Sequence, residues 1–223
     1  IGRMARYEKT LRQRAHLLSE RCNDNAWLQS LESVLAETAV AVTAARQALI
    51  RDLNQEAERG WLGFPGVQLS LNGDTERWLR EMSALQAEDK LMAVAKISRL
   101  AGDFAIPGPH ASDLQAMHLS SKTPAYLAST GQQKALLIAV VMAHARLQER
   151  RLGKSPVMLL DDVVAFLDSR RRSALFEAVS LLGGQCWYSG SDERQFDDLK
   201  CKAQFIVVRP VSQSDQTPEV EVK

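Results

Sequence analysis

Apolar positions along the chain change their period several times, and each change predicts an element. From Arg3 to Arg21, Met4, Tyr7, Leu11 and Leu18 recur on one helical face. Asp24 or Asn25 can cap a second helix running toward Gly60. Within it Leu28, Leu31, Leu35, Thr38, Val42, Ala45 and Leu49 alternate at spacings of three and four, a heptad seam suited to a neighbouring helix. About thirty-five residues at 1.5 Å each make it roughly 50 Å long. GWLGFPG at 60–66 breaks the pattern, Val67–Leu71 alternates as a strand, and Asn72-Gly73 signals a turn. Thr75 then caps a helical stretch, broken near Asp89, that ends near Leu100.

The second half reads differently. Gly108 and Pro109 force a turn at IPGPHASDL, and Leu114–Leu119 and Ala125–Ala128 read as short strands. Ala135 to Leu147 is apolar all round, which predicts a buried helix. Val157–Leu160 is a continuous apolar run, as expected of a strand covered on both faces of a parallel sheet. Asp168 or Ser169 caps a helix with Arg170, Arg171 and Arg172 in its first turn, and Gly183-Gly184 stops it. Gln185–Ser189 and Gln204–Val208 are further strands, with a short helix after Asp192 between them. Alternating helix and strand argue for an α/β parallel sheet. Pro210 to Lys223 has no period and reads as a flexible tail.

Composition narrows the class. The chain has 223 residues, 45% hydrophobic, enough for one large domain or two modest ones. With 28 basic and 27 acidic residues it is no polycation, so any DNA contact must come from a local patch or a dimer. Cys22, Cys186 and Cys201 form no C-x-x-C pair and read as reduced cysteines of a cytoplasmic protein. No apolar run reaches the roughly eighteen residues of a membrane span, and no signal peptide is visible. The first residues, Ile-Gly-Arg, enter a helical pattern directly, as expected of a piece of a longer protein.

Candidate chemistry concentrates between Leu127 and Asp168. Ser129, Thr130 and Gly131 precede the buried helix, whose unpaired N–H groups beside two hydroxyls and a glycine suit phosphate oxygens. Asp161 and Asp162 follow the apolar strand, at the carboxyl end where open α/β sheets bind ligands, and suit magnesium and an activated water. The bland reading of either half is a buried helix, or a core strand ending in surface acids.

STGQQK at 129–134 followed by LLDD at 159–162 resembles the signature motif and Walker B of ABC-type ATPases. Three further stretches are similar to the RecF family of recombination mediators: MARYEKTLRQRAHLL, the GPH block at 108–110, and GQCWYSGSD at 184–192. The resemblance implies an ABC-type ATPase core with an inserted helical arm, the arm at 1–102, the C-terminal part of the core at 103–210 and the tail at 211–223. It implies that Ser129, Thr130, Gly131, Gln132 and Lys134 meet the ATP of an opposite subunit, that Asp161 holds Mg2+, and that Asp162 orients the attacking water. Asp168 matches the D-loop aspartate of the dimer interface. Implied partners are double-stranded DNA beside single-strand gaps, a second copy in an ATP-dependent homodimer, and RecO and RecR in loading RecA; no membrane is implied. The setting is cytoplasmic DNA replication and repair, including the SOS response.

Three departures qualify this. Glutamate is usual at position 162, and aspartate reaches about 1.5 Å less, so slow hydrolysis is expected. Ala111 and Ser112 stand where the family has Arg and Asp. No G-x-x-x-x-G-K-[ST] occurs, so these residues alone should neither bind nor hydrolyse ATP. Other ABC-superfamily ATPases, SMC-like or transporter motors, and a non-hydrolysing binding module of the same fold remain as alternatives. A short arm disfavours the SMC type, and the stretch Ser189-Gly190-Ser191-Asp192, which lacks the switch histidine, together with the absence of a membrane partner region disfavours a transporter. His110 reads either as a phosphate contact or switch, or as a hydrogen-bonded loop histidine.

Overall fold

The computed structural model describes residues 2–20, 24–200, 202–208 and 220–222. It divides into two compact units, one of residues 1–61 and 65–147 and one of 62–64 and 148–223. Pairing of residues 113–118 onto 67–72, and contacts of Pro109 and His110 with Arg46 and Tyr7, place this stretch in the first unit.

In the first unit, α1 (Gly2–Ser19) and α2 (Asn25–Ala57) lie against each other. Asp24 caps α2 by accepting from the Trp27 N–H at 2.9 Å. The expected seam buries Leu28, Leu35, Thr38 and Val42, but Ala45 and Leu49 are exposed. α2 meets α1, α3, α4 and β1 at once, so Glu32, Ala36, Ala39, Thr43, Leu53 and Ala57 are buried as well. By length and composition α2 could cross a membrane. Leu28, Leu35, Ala36, Ala39, Val40 and Leu53 are buried, as in a core helix. α1 turns Tyr7, Thr10, Arg14 and Leu17 inward rather than Leu18. The reason is electrostatic: Arg14, 1% exposed, donates to Glu32, 2% exposed, at 3.2 Å, and Arg99 donates to the same carboxylate oxygen at 3.2 Å. Arg14 also donates to the carbonyls of Phe104 and Ala95, so each of its three side-chain nitrogens has an acceptor.

β1 (Val67–Asn72) pairs antiparallel with β2 (Asp113–His118), which pairs with β3 (Thr123–Pro124). The amide of Asn54 fixes β1 to α2 by accepting from and donating to the backbone of Leu69. Thr75 is not a cap. Gly73 occupies that position before α3 (Asp74–Glu81), and Thr75 is buried. The helix breaks at Ser83, not near Asp89, because Ser83 and Gln86 form a capping box that starts α4 (Ala84–Leu100). Tyr7, Leu35, Trp78, Leu91, Ala95 and Ile106 centre the core of this unit. Residues 125–127 form a 3-10 turn rather than a strand.

α5 (Thr130–Leu152) crosses from one unit into the other. It buries Ala135, Leu136, Ile138, Met142 and Leu147 but leaves Leu137 (65%), Val141 and His144 exposed, so it is not buried all round.

In the second unit, β4 (Met158–Leu160) pairs parallel with β5 (Cys186–Tyr188), with α6 (Ser169–Leu182) between them in sequence. Leu175, Phe176 and Leu182 of α6 are buried, and Phe176 meets Tyr188 edge-on at 5.3 Å. β4 is not covered on both faces. Met158 and Leu160 are buried, whereas Leu159 is 75% exposed beside half-exposed Trp187, its partner in register. β6 (Ile206–Val208) was expected in the parallel sheet. It pairs instead antiparallel with β7 (Val220–Val222), where Val-Glu-Val alternates at strand period within the stretch expected to be flexible. The rest of that tail, with Cys22 and Cys201, lies outside the described residues; Cys186 is a free, half-buried thiol whose pKa burial raises.

Candidate functional site

Local sequence sets the geometry at each motif. At the start of α5, Ser129 and Gln132 form a reciprocal pair. Ser129 N–H donates to the Gln132 side-chain oxygen at 3.0 Å, and Gln132 N–H donates to Ser129 Oγ at 3.4 Å. This capping box fixes the first turn, while Thr130 and Gly131, both exposed, keep N–H groups that no intrahelical carbonyl can accept. Gln133 anchors the turn by donating to the carbonyl of Ala125 at 2.9 Å. Lys134 is half-buried one residue further on. An exposed helix start with spare donors and a flanking lysine can accept an anion.

The aspartates belong to the second unit. Asp161 follows β4 directly, and Ser189 follows β5 directly, so parallel pairing sets them side by side at the carboxyl ends of both strands. Ser189 N–H donates to the Leu160 carbonyl at 3.1 Å, Ser189 Oγ–H donates to Asp161 Oδ1, and Asp162 N–H donates to Ser189 Oγ at 2.9 Å. One serine thus grips three consecutive residues. Asp162 lies in the left-handed region, φ 51°, which aspartate tolerates better than most side chains. It stands at the N-cap of the 3-10 turn Val163–Phe166 yet makes no side-chain capping bond there. Its carboxylate is therefore not explained by helix capping.

Asp168 is a cap: it accepts from the Arg171 N–H at 2.8 Å and lies 3.9 Å from the Arg171 guanidinium at the start of α6. The donor set around Asp161 is carboxylate and hydroxyl oxygen only, which fits magnesium rather than a softer metal. Among the described residues, no group of three or more His, Cys, Asp or Glu could hold a metal by themselves.

His110 accepts from or donates to Tyr7 at 2.5 Å through Nδ1, so it is a hydrogen-bonded loop histidine. Pro109 beside it accepts from Arg46, and a Cβ on Gly108 would collide with the Tyr7 hydroxyl. Burial lowers the His110 pKa and raises that of Tyr7, which keeps the phenol protonated as donor and the imidazole neutral as acceptor. As pH falls through the ordinary histidine value of about 6.5, the unfolded chain gains a proton that folded His110 refuses. This contact therefore stabilises the unit fully above that value and is lost as pH drops toward the lowered folded value. Urea midpoints from pH 7 to 5 should fall less steeply for His110→Gln than for the wild type; parallel slopes would show that the contact is not linked to protonation.

Sequence reading missed Ser189, treating the position only as a missing histidine. It also missed Arg77 and Arg80, which with Gly73, Gly108 and Asp113 line a cleft of about 350 Å³ in the first unit. The signal for Ser189 was its place one residue beyond a strand following the aspartate strand. Arg77 and Arg80 had only helical spacing to mark them.

No family model matches the chain. It is 38% identical over 207 residues to the DNA replication and repair protein RecF of Mesorhizobium japonicum, covering 91% of this chain and 55% of that protein. The RecF proteins of Brucella abortus and Rhizobium meliloti are 38% and 37% identical over 211 residues, 92% of this chain and 55% and 56% of theirs. The chain thus spans little more than half the length of these curated relatives. Among solved structures, the recombination mediator protein RecF-ATPrS in the RecFOR pathway superposes with a TM-score of 0.67, at 20% identity, over 85% of this chain and 53% of that one. The structure of the recombination mediator protein RecF-ATP in the RecFOR pathway gives 0.66, at 20% identity, over 85% and 52%. The chain resembles RecF in sequence and shares its fold, an α/β ABC-type ATPase core with a helical arm.

Proposed function

We infer that this chain is the larger, C-terminal part of a RecF-type DNA replication and repair protein, with residues 1–102 as its helical arm and 103–210 as its share of the ATPase core. The observation that carries this reading is Asp161 and Asp162 at the carboxyl end of β4, locked to the end of the parallel neighbour β5. Asp161 would hold magnesium, which when bound neutralises charge on the nucleotide phosphates. Asp162 would orient and deprotonate water, its carboxylate being tied to no cap. Ser129, Thr130, Gly131, Gln132 and Lys134 would meet the γ-phosphate of ATP in a second copy, with Asp168 at that dimer interface. The capping box supports this assignment by holding the helix start rigid while Thr130 and Gly131 keep free N–H groups.

The complete protein would close as an ATP-dependent homodimer on double-stranded DNA beside single-strand gaps and act in the cytoplasm with RecO and RecR. The relatives' name supports replication and repair, and the nucleotides of the RecF-ATP and RecF-ATPrS structures support ATP as ligand. Asp162→Asn in the complete protein tests the water-orienting role. Asparagine keeps the shape and tolerates the left-handed backbone but cannot accept a proton. Single-turnover hydrolysis should fall by about a hundredfold or more, with magnesium–ATP binding and the dimer retained. Asp162→Glu should leave hydrolysis unharmed or faster. Wild-type rates for the asparagine variant would remove Asp162 from the chemistry and leave the pair as a one-carboxylate magnesium site.

A further inference from the structure

We propose that Ser189 is a positioning residue for the magnesium site, resting on the assignment of Asp161 as the magnesium carboxylate. The serine makes three bonds to three successive residues, the last of β4 and the first two of the turn after it. Its N–H continues the β4–β5 ladder onto Leu160, its hydroxyl proton goes to Asp161 Oδ1, and its oxygen accepts from the Asp162 N–H. A hydroxyl has one proton and two lone pairs, so a single oxygen orients the Asp161 carboxylate and pins the backbone of Asp162.

Each bond has a separate consequence. The one to Oδ1 occupies one lone pair of the carboxylate and fixes the rotation of the group, so that its remaining lone pairs keep a set direction toward an ion. The one from Asp162 N–H holds the backbone at φ 51°, in a region that few non-glycine residues other than aspartate and asparagine adopt. Gly190 follows because the chain must pass close to Phe196, where a Cβ would lie 2.8 Å from the ring. The serine is thereby held from both sides, by β5 before it and by this contact after it. Hydrogen-bond partners of a metal ligand typically change affinity by about ten- to a hundredfold when removed. Ser189 stands in that relation to Asp161.

The test is Mn2+ binding to the complete ATP-loaded protein, read by the electron paramagnetic resonance of free and bound ion, which does not depend on turnover. Ser189→Ala should weaken Mn2+ by roughly tenfold or more, and Ser189→Thr, which restores the hydroxyl, should bring affinity back toward wild type. The melting temperature of both variants shows whether the fold is kept, and Ser189→Cys, of similar size with a weaker donor, serves if alanine fails to fold. Asp161→Asn is run alongside. If it weakens Mn2+ while Ser189→Ala and Ser189→Cys bind as wild type, the positioning role is wrong. If Asp161→Asn itself leaves Mn2+ unchanged, the assignment of Asp161 is wrong, and the proposal falls with it.

Discussion

Replacing Glu32 with alanine is expected to cost the first unit about 3–5 kcal/mol, the usual effect of breaking a buried ion pair. Arg14 and Arg99 both donate to the Glu32 carboxylate, and Arg14 is almost wholly excluded from water. Without the carboxylate, its guanidinium keeps two carbonyl acceptors but no counter-charge. That loss compares with the entire stability of many domains, about 5–15 kcal/mol, so the variant should unfold at far lower urea or lose its fixed packing. Glu32→Gln, which keeps a hydrogen-bond acceptor, should fall between the two. Replacing Arg14, Glu32 and Arg99 together by apolar residues should recover much of the loss, because it removes the charges as well as their partners. Equilibrium urea unfolding followed by circular dichroism measures all three. A Glu32→Ala midpoint within error of the wild type would show that water reaches this cluster.

The second large effect is expected at the start of α5. In the complete protein, Ser129→Arg should abolish ATP-dependent dimerisation while leaving ATP binding by the monomer largely intact. A signature that completes the partner's nucleotide site has no part in its own, and a long cation at the helix start would block approach to the γ-phosphate. Ser129 also closes a capping box with Gln132, so arginine costs about 1 kcal/mol of helix stability as well. Ser129→Asn, a comparable cap, separates this stability cost from any effect of the added cation. Size-exclusion chromatography with ATP reads the dimer, and nucleotide titration at low protein concentration reads the monomer. Equal loss of monomer binding would mean that Ser129 acts in its own subunit's site.

Local signals survived from sequence to structure, and long-range ones did not. Asp24 capping α2, the break at GWLGFPG, and strands at β1, β4 and β5 depend on neighbours in sequence and were all readable. Ser83-Ala-Leu-Gln86 carried a capping signature that the longer apolar period concealed. The seam of α2 failed beyond Val42 because three helices and a strand divide its surface, and no single stripe can serve all of them. Arg14 with Glu32 could not be read at all. The two residues are 18 positions apart on separate helices, and only the packing of α1 on α2 makes an inward arginine tolerable. The candidate site divides the same way. Asp161 and Asp162 were legible as acids after an apolar strand, whereas Ser189, 28 positions from Asp161, joins them only through parallel pairing.

Leu159 and Trp187 stand outward from neighbouring strands of a two-stranded sheet, with Val157 and Val208 also largely exposed in this unit. Open strand edges with apolar neighbours are templates for pairing with another chain. The formal net charge of these 223 residues is only +1, so little repulsion keeps copies apart near neutral pH. The same residues that make a good strand interior thus form an apolar face on which a further strand or a second chain can pair.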